Sequence, residues 1–279
     1  MIRRRPLLLA GVAGASGLPM ARAQQRQSLA NPLRLGVDIA LVESGLAAAL
    51  QRAFGRDTGI AVQLISGPAL PLLDALERGE LDAALSNAPE AETRLAQQGL
   101  VHDRRAVASA ALVLVGPASK GKVPDPAGVA GGREVTQALQ RINAVASAAA
   151  SAAASAAGLL RFLSAGHGSG THAAEQALWR AAKIAPAAPW YATADQGSLV
   201  AQARARGAYA LVERGCWAAQ GGAPLAVLVD GDPLLDMAVH VMRSFRVNHP
   251  AGKIVVAWIS GRKGARVVAA QRGYGAPKA

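Results

Sequence analysis

From Leu33 onward the chain alternates short apolar runs with stretches of helical period, and that rhythm restricts it to an α/β architecture. Leu33-Arg34-Leu35-Gly36-Val37 reads as a strand. Ser44 to Arg56 reads as a helix, with Leu46, Leu50 and Phe54 spaced i, i+4, i+8 on one face. Ile60 to Ile65 is a second strand, Pro71 to Arg78 a helix gathering Leu72, Leu73 and Leu76, and Leu81 to Leu85 a third strand. Pro89-Glu90-Ala91-Glu92 opens a helix whose acids suit its positive end. Val107 to Val115 is an apolar strand closed by Gly116-Pro117. This β-α-β-α-β order predicts a largely parallel sheet.

The second half repeats the style. A helix is expected from about Val135 to Phe162 and another over Ser169–Ala182. Strands are expected at Tyr209–Val212, Leu225–Val229 and Met237–Met242, with a closing helix near Lys263–Arg272. Within the first helix, Ser147, Ser151 and Ser155 recur among alanines. Alanine favours helix but anchors little, so residues 144–158 read as a helical insertion and not as a site.

At 51% apolar residues the chain can bury a core, which excludes global disorder. Only 4% are aromatic, leaving Leu, Val and Ala to fill it. The single cysteine, Cys216, excludes a disulfide framework and a Cys-based zinc site. The net charge of +12 raises a nucleic-acid partner, but its location argues otherwise. Residues 1–23 carry Arg3-Arg4-Arg5, an apolar stretch from Pro6 to Met20 and an Ala21-Arg22-Ala23 cleavage motif, the pattern of an export signal. Its apolar part is too short for a stable membrane helix. Arg4-Arg5 leaves the twin-arginine and the general secretory routes both open. Removing its four arginines takes the charge from +12 to +8, scattered without a basic helix interleaved with aromatics. The mature chain is expected to be periplasmic, soluble and monomeric, with no nucleic-acid partner and no cofactor.

Four places leave an apolar run, pass a Gly/Ser turn and enter a helix. They are Glu43-Ser44-Gly45, Ser66-Gly67-Pro68, Gly168-Ser169-Gly170-Thr171 and Gln196-Gly197-Ser198. Each alone reads as a helix cap. Together, spread over both halves, they suggest backbone N–H groups converging on an anion in a cleft. Enzyme motifs are weaker. Gly166-His167-Gly168-Ser169-Gly170 lacks the central serine of a nucleophile elbow, and the five histidines show no metal-ligand spacing.

At these turns the chain resembles the periplasmic substrate-binding proteins of tungstate ABC transporters, over about Leu33 to Val241. The resemblance rests on Ser44-Gly45-Leu46 with Phe54 and Thr58-Gly59-Ile60, and on Arg78-Gly79-Glu80-Leu81-Asp82 with Asn87-Ala88-Pro89-Glu90. Ser169-Gly170-Thr171-His172 with Glu175 and Leu178-Trp179, then Trp190-Tyr191 and Gly231-Asp232-Pro233, extend it. It implies a two-lobed fold of the type II-like periplasmic-binding class with two crossover strands, closing on a small anion such as tungstate or molybdate for an ABC permease. Lobe I would comprise 24–112 plus 237–279, and lobe II 113–236. The implied ligand positions are Asp38, Ser66, Gly67, Ser164, His167, Ser169, Gly170, Thr171, Gln196 and Gly197.

Several of these depart from the family. Val37-Asp38-Ile39-Ala40 stands where the family has a hydroxyl-rich run, and Ala165 where it has an anion-facing arginine. A hydrogen bond to a charged group is worth about 1.5–3 kcal/mol, so these losses predict eroded oxyanion binding, with Asp38 adding repulsion if it faces the cleft. Asp38 and His167 then read as substituted specificity positions. The alternatives are a different small ligand, including one with a cationic group for Asp38, and a degenerate member with a protein-interaction or sensory role.

Overall fold

The computed structural model describes residues 28–118, 125–151, 161–166 and 168–277. The export signal, His167 and residues 152–158 of the Ala/Ser insertion lie outside the described residues.

Strand β1 (Leu33–Asp38) lies between β2 (Val62–Gly67) and β3 (Ala83–Ser86), all three parallel. Its burial is near total, as expected of a strand covered on both faces. The first helical stretch is broken at Ser44-Gly45 into a short α1 (Ile39–Glu43) and a longer α2 (Leu46–Thr58). Gly45 adopts φ 84°, a left-handed turn that a side chain would strain. Helix α2 buries Leu46, Leu50 and Phe54, the face read from the sequence. Helices α3 (Ala69–Arg78) and α4 (Pro89–Gln97) follow, α3 ending at left-handed Gly79 and α4 starting with Pro89 in its first turn.

Strand β4 (Val101–Pro117) ties the molecule together. From Val101 to Ala111 it pairs antiparallel with β9 (Asp236–Ser244). From Leu112 it pairs with β7 (Ala210–Glu213) and β8 (Leu225–Val229), also antiparallel. With the short β10 (Tyr274–Gly275) the order is β10-β4-β9-β3-β1-β2, with β7 and β8 attached to the far end of β4. The sheet is therefore mixed, not largely parallel. The order of elements alone does not show that the chain returns through β9 and reverses direction beside β3.

Beyond β4 lie α5 (Val135–Ser151), β5 (Phe162–Ser164), α6 (Gly170–Ala181), β6 (Tyr191–Thr193), α7 (Leu199–Arg206) and α8 (Arg214–Gln220). Phe162 is thus a strand residue and not a helix end. β5 pairs parallel with β6, and an isolated Phe162–Tyr209 bridge joins it to the residue just before β7. After β9, α9 (Gly252–Ile259) and α10 (Arg262–Ala269) pack back beside α2. The α/β, two-lobed architecture expected of the chain is present: one lobe is built on β1–β3 with β9, the other on β5–β8. Among the described residues no helix is long and apolar enough to cross a membrane.

Candidate functional site

Three elements aim at one point between the lobes. Asp38 ends β1 and caps α1, its Oδ1 accepting from the Ala40 N–H at 2.9 Å. Its Oδ2 accepts from the Gly170 N–H, at the start of α6 on the opposite lobe, at 3.2 Å. The Ala69 N–H, at the start of α3, also bonds this carboxyl group. Asp38 is 0% exposed. Burial pushes its pKa upward, while those three backbone donors oppose the shift and the more distant charge of Glu92 adds to it. All these hydrogen-bond partners donate, which is what a carboxylate rather than a carboxylic acid requires.

The lobes touch closely here. The Leu70 N–H donates to the Gly168 carbonyl at 2.8 Å, and the Cys216 thiol to the Ala40 carbonyl at 3.1 Å. A Cβ added at Gly170 would lie 1.9 Å from Asn87 Oδ1, so only glycine permits this approach. The Asn87 amide donates to Glu213 Oε1, and the Tyr274 hydroxyl bonds Glu213 Oε2 at 3.0 Å and Ser44 at 2.7 Å. Asn87 Oδ1 itself is buried without a hydrogen-bond partner. Burial, reinforced by the charge of Asp38, raises Glu213 to about 7. Burial and Asp38 likewise raise Glu43.

Beside Asp38 a cavity of about 440 Å³ opens between the lobes, within the roughly 300–1,000 Å³ of small-molecule sites. Ser169, Thr171, Gln196 and Gly197 line it, with Glu43, Asp195 and Glu213 as its acids. None of its described lining residues is Lys or Arg.

The expected ligand positions divide accordingly. Asp38 and Gly170 meet each other behind the cavity wall. Ser66 and Gly67 end β2 in register with Val37 and Asp38, and neither lines the cavity. Ser164 is fully buried beneath it: its hydroxyl contacts His172 Nδ1 at 2.9 Å and accepts from the Gly166 N–H at 3.3 Å. Ser169 caps α6, its Oγ accepting from the His172 N–H at 3.0 Å. His167 lies outside the described residues. Glu213 and Tyr274 were not foreseen. A lone acid ending the apolar run Ala210-Leu211-Val212 was a faint signal for Glu213, whereas nothing local marks Tyr274.

A family model described as PBP superfamily domain matches residues 40–252. The tungstate-binding protein TupA of Peptoclostridium acidaminophilum is 26% identical over 250 residues, covering 84% of this chain and 80% of that one. A Haloferax volcanii protein, provisionally named as an ABC transporter anion-binding protein, is 31% identical over 202 residues. That match covers 71% of this chain and only 54% of the archaeal protein, about half its length. The solved structure of a tungstate ABC transporter protein from Geobacter sulfurreducens superimposes with a TM-score of 0.71 at 26% identity, covering 86% of this chain and 98% of that one.

Proposed function

The chain belongs to the PBP superfamily domain family, and from that premise we propose that it is the exported solute-binding component of an ABC transporter. Its place is in the tungstate- and molybdate-type oxyanion branch, as the names of its relatives suggest, with the oxyanion ligands eroded. The observation that carries this reading is the convergence of the α3 and α6 N-termini, one from each lobe, beside a solute-sized cavity. Helix N-termini facing one another across a cleft are a site that closes on what it binds.

Residues 1–23 direct export to the periplasm, by the general secretory or twin-arginine route. Lobe I is residues 24–112 with 237–279 and lobe II is 113–236. The change of β4's partners between Ala111 and Leu112, and the start of β9 at Asp236, support that division. The mature protein is a soluble monomer that binds its solute without chemistry and delivers it to an ABC permease.

The anion-facing arginine of the resemblance is Ala165 here, and it lines a cavity whose ionisable groups include the acids Glu43, Asp195 and Glu213 and no Lys or Arg. These observations favour, as a second reading, a solute carrying an amino group over a bare oxyanion. The test is a thermal-shift panel on residues 24–279 with tungstate, molybdate, sulfate, phosphate and the amino acids. A solute at 100 times its dissociation constant adds about 2.7 kcal/mol, an upward shift of roughly 5–10 °C for a chain this size. A response from an oxyanion or from amino acids decides between the two solute classes. A panel without any response at millimolar concentration counts against solute binding altogether.

A further inference from the structure

We infer that Asp38 is a built-in anion: its carboxylate occupies the point where the helix N-termini of the two lobes converge, and it latches the lobes together without a solute. This rests on reading the cleft as the family's solute cleft.

The carboxylate stands at the carboxyl end of β1, an interior strand flanked by parallel β2 and β3, where open α/β sheets receive ligands. It is sealed from water and bonded to the first N–H groups of α3, ten residues long, and α6, twelve. Those donors belong to different lobes, so a single side chain makes the bridge that a captured oxyanion makes in a closing cleft. An anion arriving from solution would have to displace Asp38 while it is still buried, or share the site with it. The neighbouring carboxyl of Glu43, coupled to Asp38, would add repulsion when ionised.

The surrounding contacts match a closed state. Leu70 N–H to Gly168, Cys216 to Ala40, and Gly170 pressed against Asn87 all cross between the lobes at the Asp38 end of the cleft. The 440 Å³ cavity lies beside the latch and not within it. A solute that fits there would stabilise a form that already exists, while tetrahedral oxyanions find their donors taken.

The experiment compares the mature wild type with Asp38→Ala and Asp38→Asn, using tungstate as the probe. Small-angle scattering reads compactness and thermal shift reads binding. The latch predicts a wild type that is compact without solute and whose radius of gyration and melting temperature do not respond to about 1 mM tungstate. Asp38→Ala is expected to expand, and to regain compactness with a rise of about 5 °C or more when tungstate fills the vacated donors. Asp38→Asn keeps the shape without the charge and should open partway, so it serves if the alanine variant does not fold. A wild type that is open alone and contracts with tungstate overturns the inference whatever the variants do. So does a folded alanine variant that stays closed or ignores tungstate. Failure of the broader transport reading looks different: no solute of any class binds the wild type, yet the solute-free protein is still compact.

Discussion

Glu213 is a carboxyl group buried at the meeting of β7, Asn87 and Tyr274, and its folded-state pKa of about 7 lies above its ordinary 4.5. The folded protein therefore keeps a proton that the unfolded chain releases as the pH passes 4.5. The sign follows from the linkage between proton binding and folding. Stability contributed by the protonated group is whole below pH 4.5, falls between there and pH 7, and is flat above. The loss amounts to about 3 kcal/mol. Glu213→Gln carries a permanent neutral analogue, so its melting temperature, measured against wild type at pH 5 and pH 8, is expected to gain at the higher pH. Equal differences at the two values would mean that Glu213 is ionised in the folded protein. Asp38, by contrast, has three backbone donors to hold its charge, whereas Glu213 has two side-chain donors.

At the scale of elements, α6 joins the cleft to the interior of the second lobe. Its first residues, Gly170 and Thr171, face the cleft region, while Trp179 near its end packs edge-on against Phe162 at 5.0 Å and Trp190 at 6.0 Å. Tyr191 stacks on Phe162, and its hydroxyl donates to the buried Glu175 at 2.6 Å. The Trp179 indole N–H also donates to Glu175. Four of the chain's ten aromatic rings thus stand in one knot that holds α6, β5 and β6 together. Trp179→Ala is expected to destabilise the protein by about 3–5 kcal/mol, measured by urea denaturation. It also takes one donor from Glu175 in a sealed site, leaving the Tyr191 hydroxyl and the Ala165 N–H. Trp179→Phe keeps most of the packing and should cost less. Equal losses in the two variants would mean that ring volume matters little there.

The whole molecule closes along a seam that one thiol reports. Cys216 on α8 is 4% exposed and donates to the Ala40 carbonyl across the cleft. Burial, with the charges of Glu213, Glu43 and Asp38 added, pushes the thiol pKa upward. The thiol is nearly buried at the cavity wall and held as the neutral thiol in the closed form, so modification by a thiol reagent should run roughly two orders of magnitude or more below a free thiol's rate. The rate should rise in Asp38→Ala if the lobes part. Rapid labelling of the native wild type would show that the seam stands open in solution. Net charge plays little part at this scale. The formal +12 does not extend to the described cavity lining, which has acids and no Lys or Arg.

The order of elements was legible because hydrophobic period is a local property: Leu46, Leu50 and Phe54 mark one helical face, and Leu33 to Val37 mark a strand, whatever surrounds them. The Gly/Ser turns announced helix starts for the same reason, as at Ser169, and the ordered motifs of both halves carried the family. Direction and partnership were not local. Whether β4 pairs with β9 or with β7 changes between Ala111 and Leu112, with no mark in the sequence at that step. Strands β5 and β6 are three residues each, too short for a period to show. The meaning of Asp38 needed the fold most of all. In sequence it is an acid standing where an anion is expected, which reads as repulsion. Only the fold brings the first residue of α6 to the end of β1 and sets the Gly170 N–H on its carboxylate, and a buried charge matched by converging backbone dipoles is an attraction that sequence separation conceals.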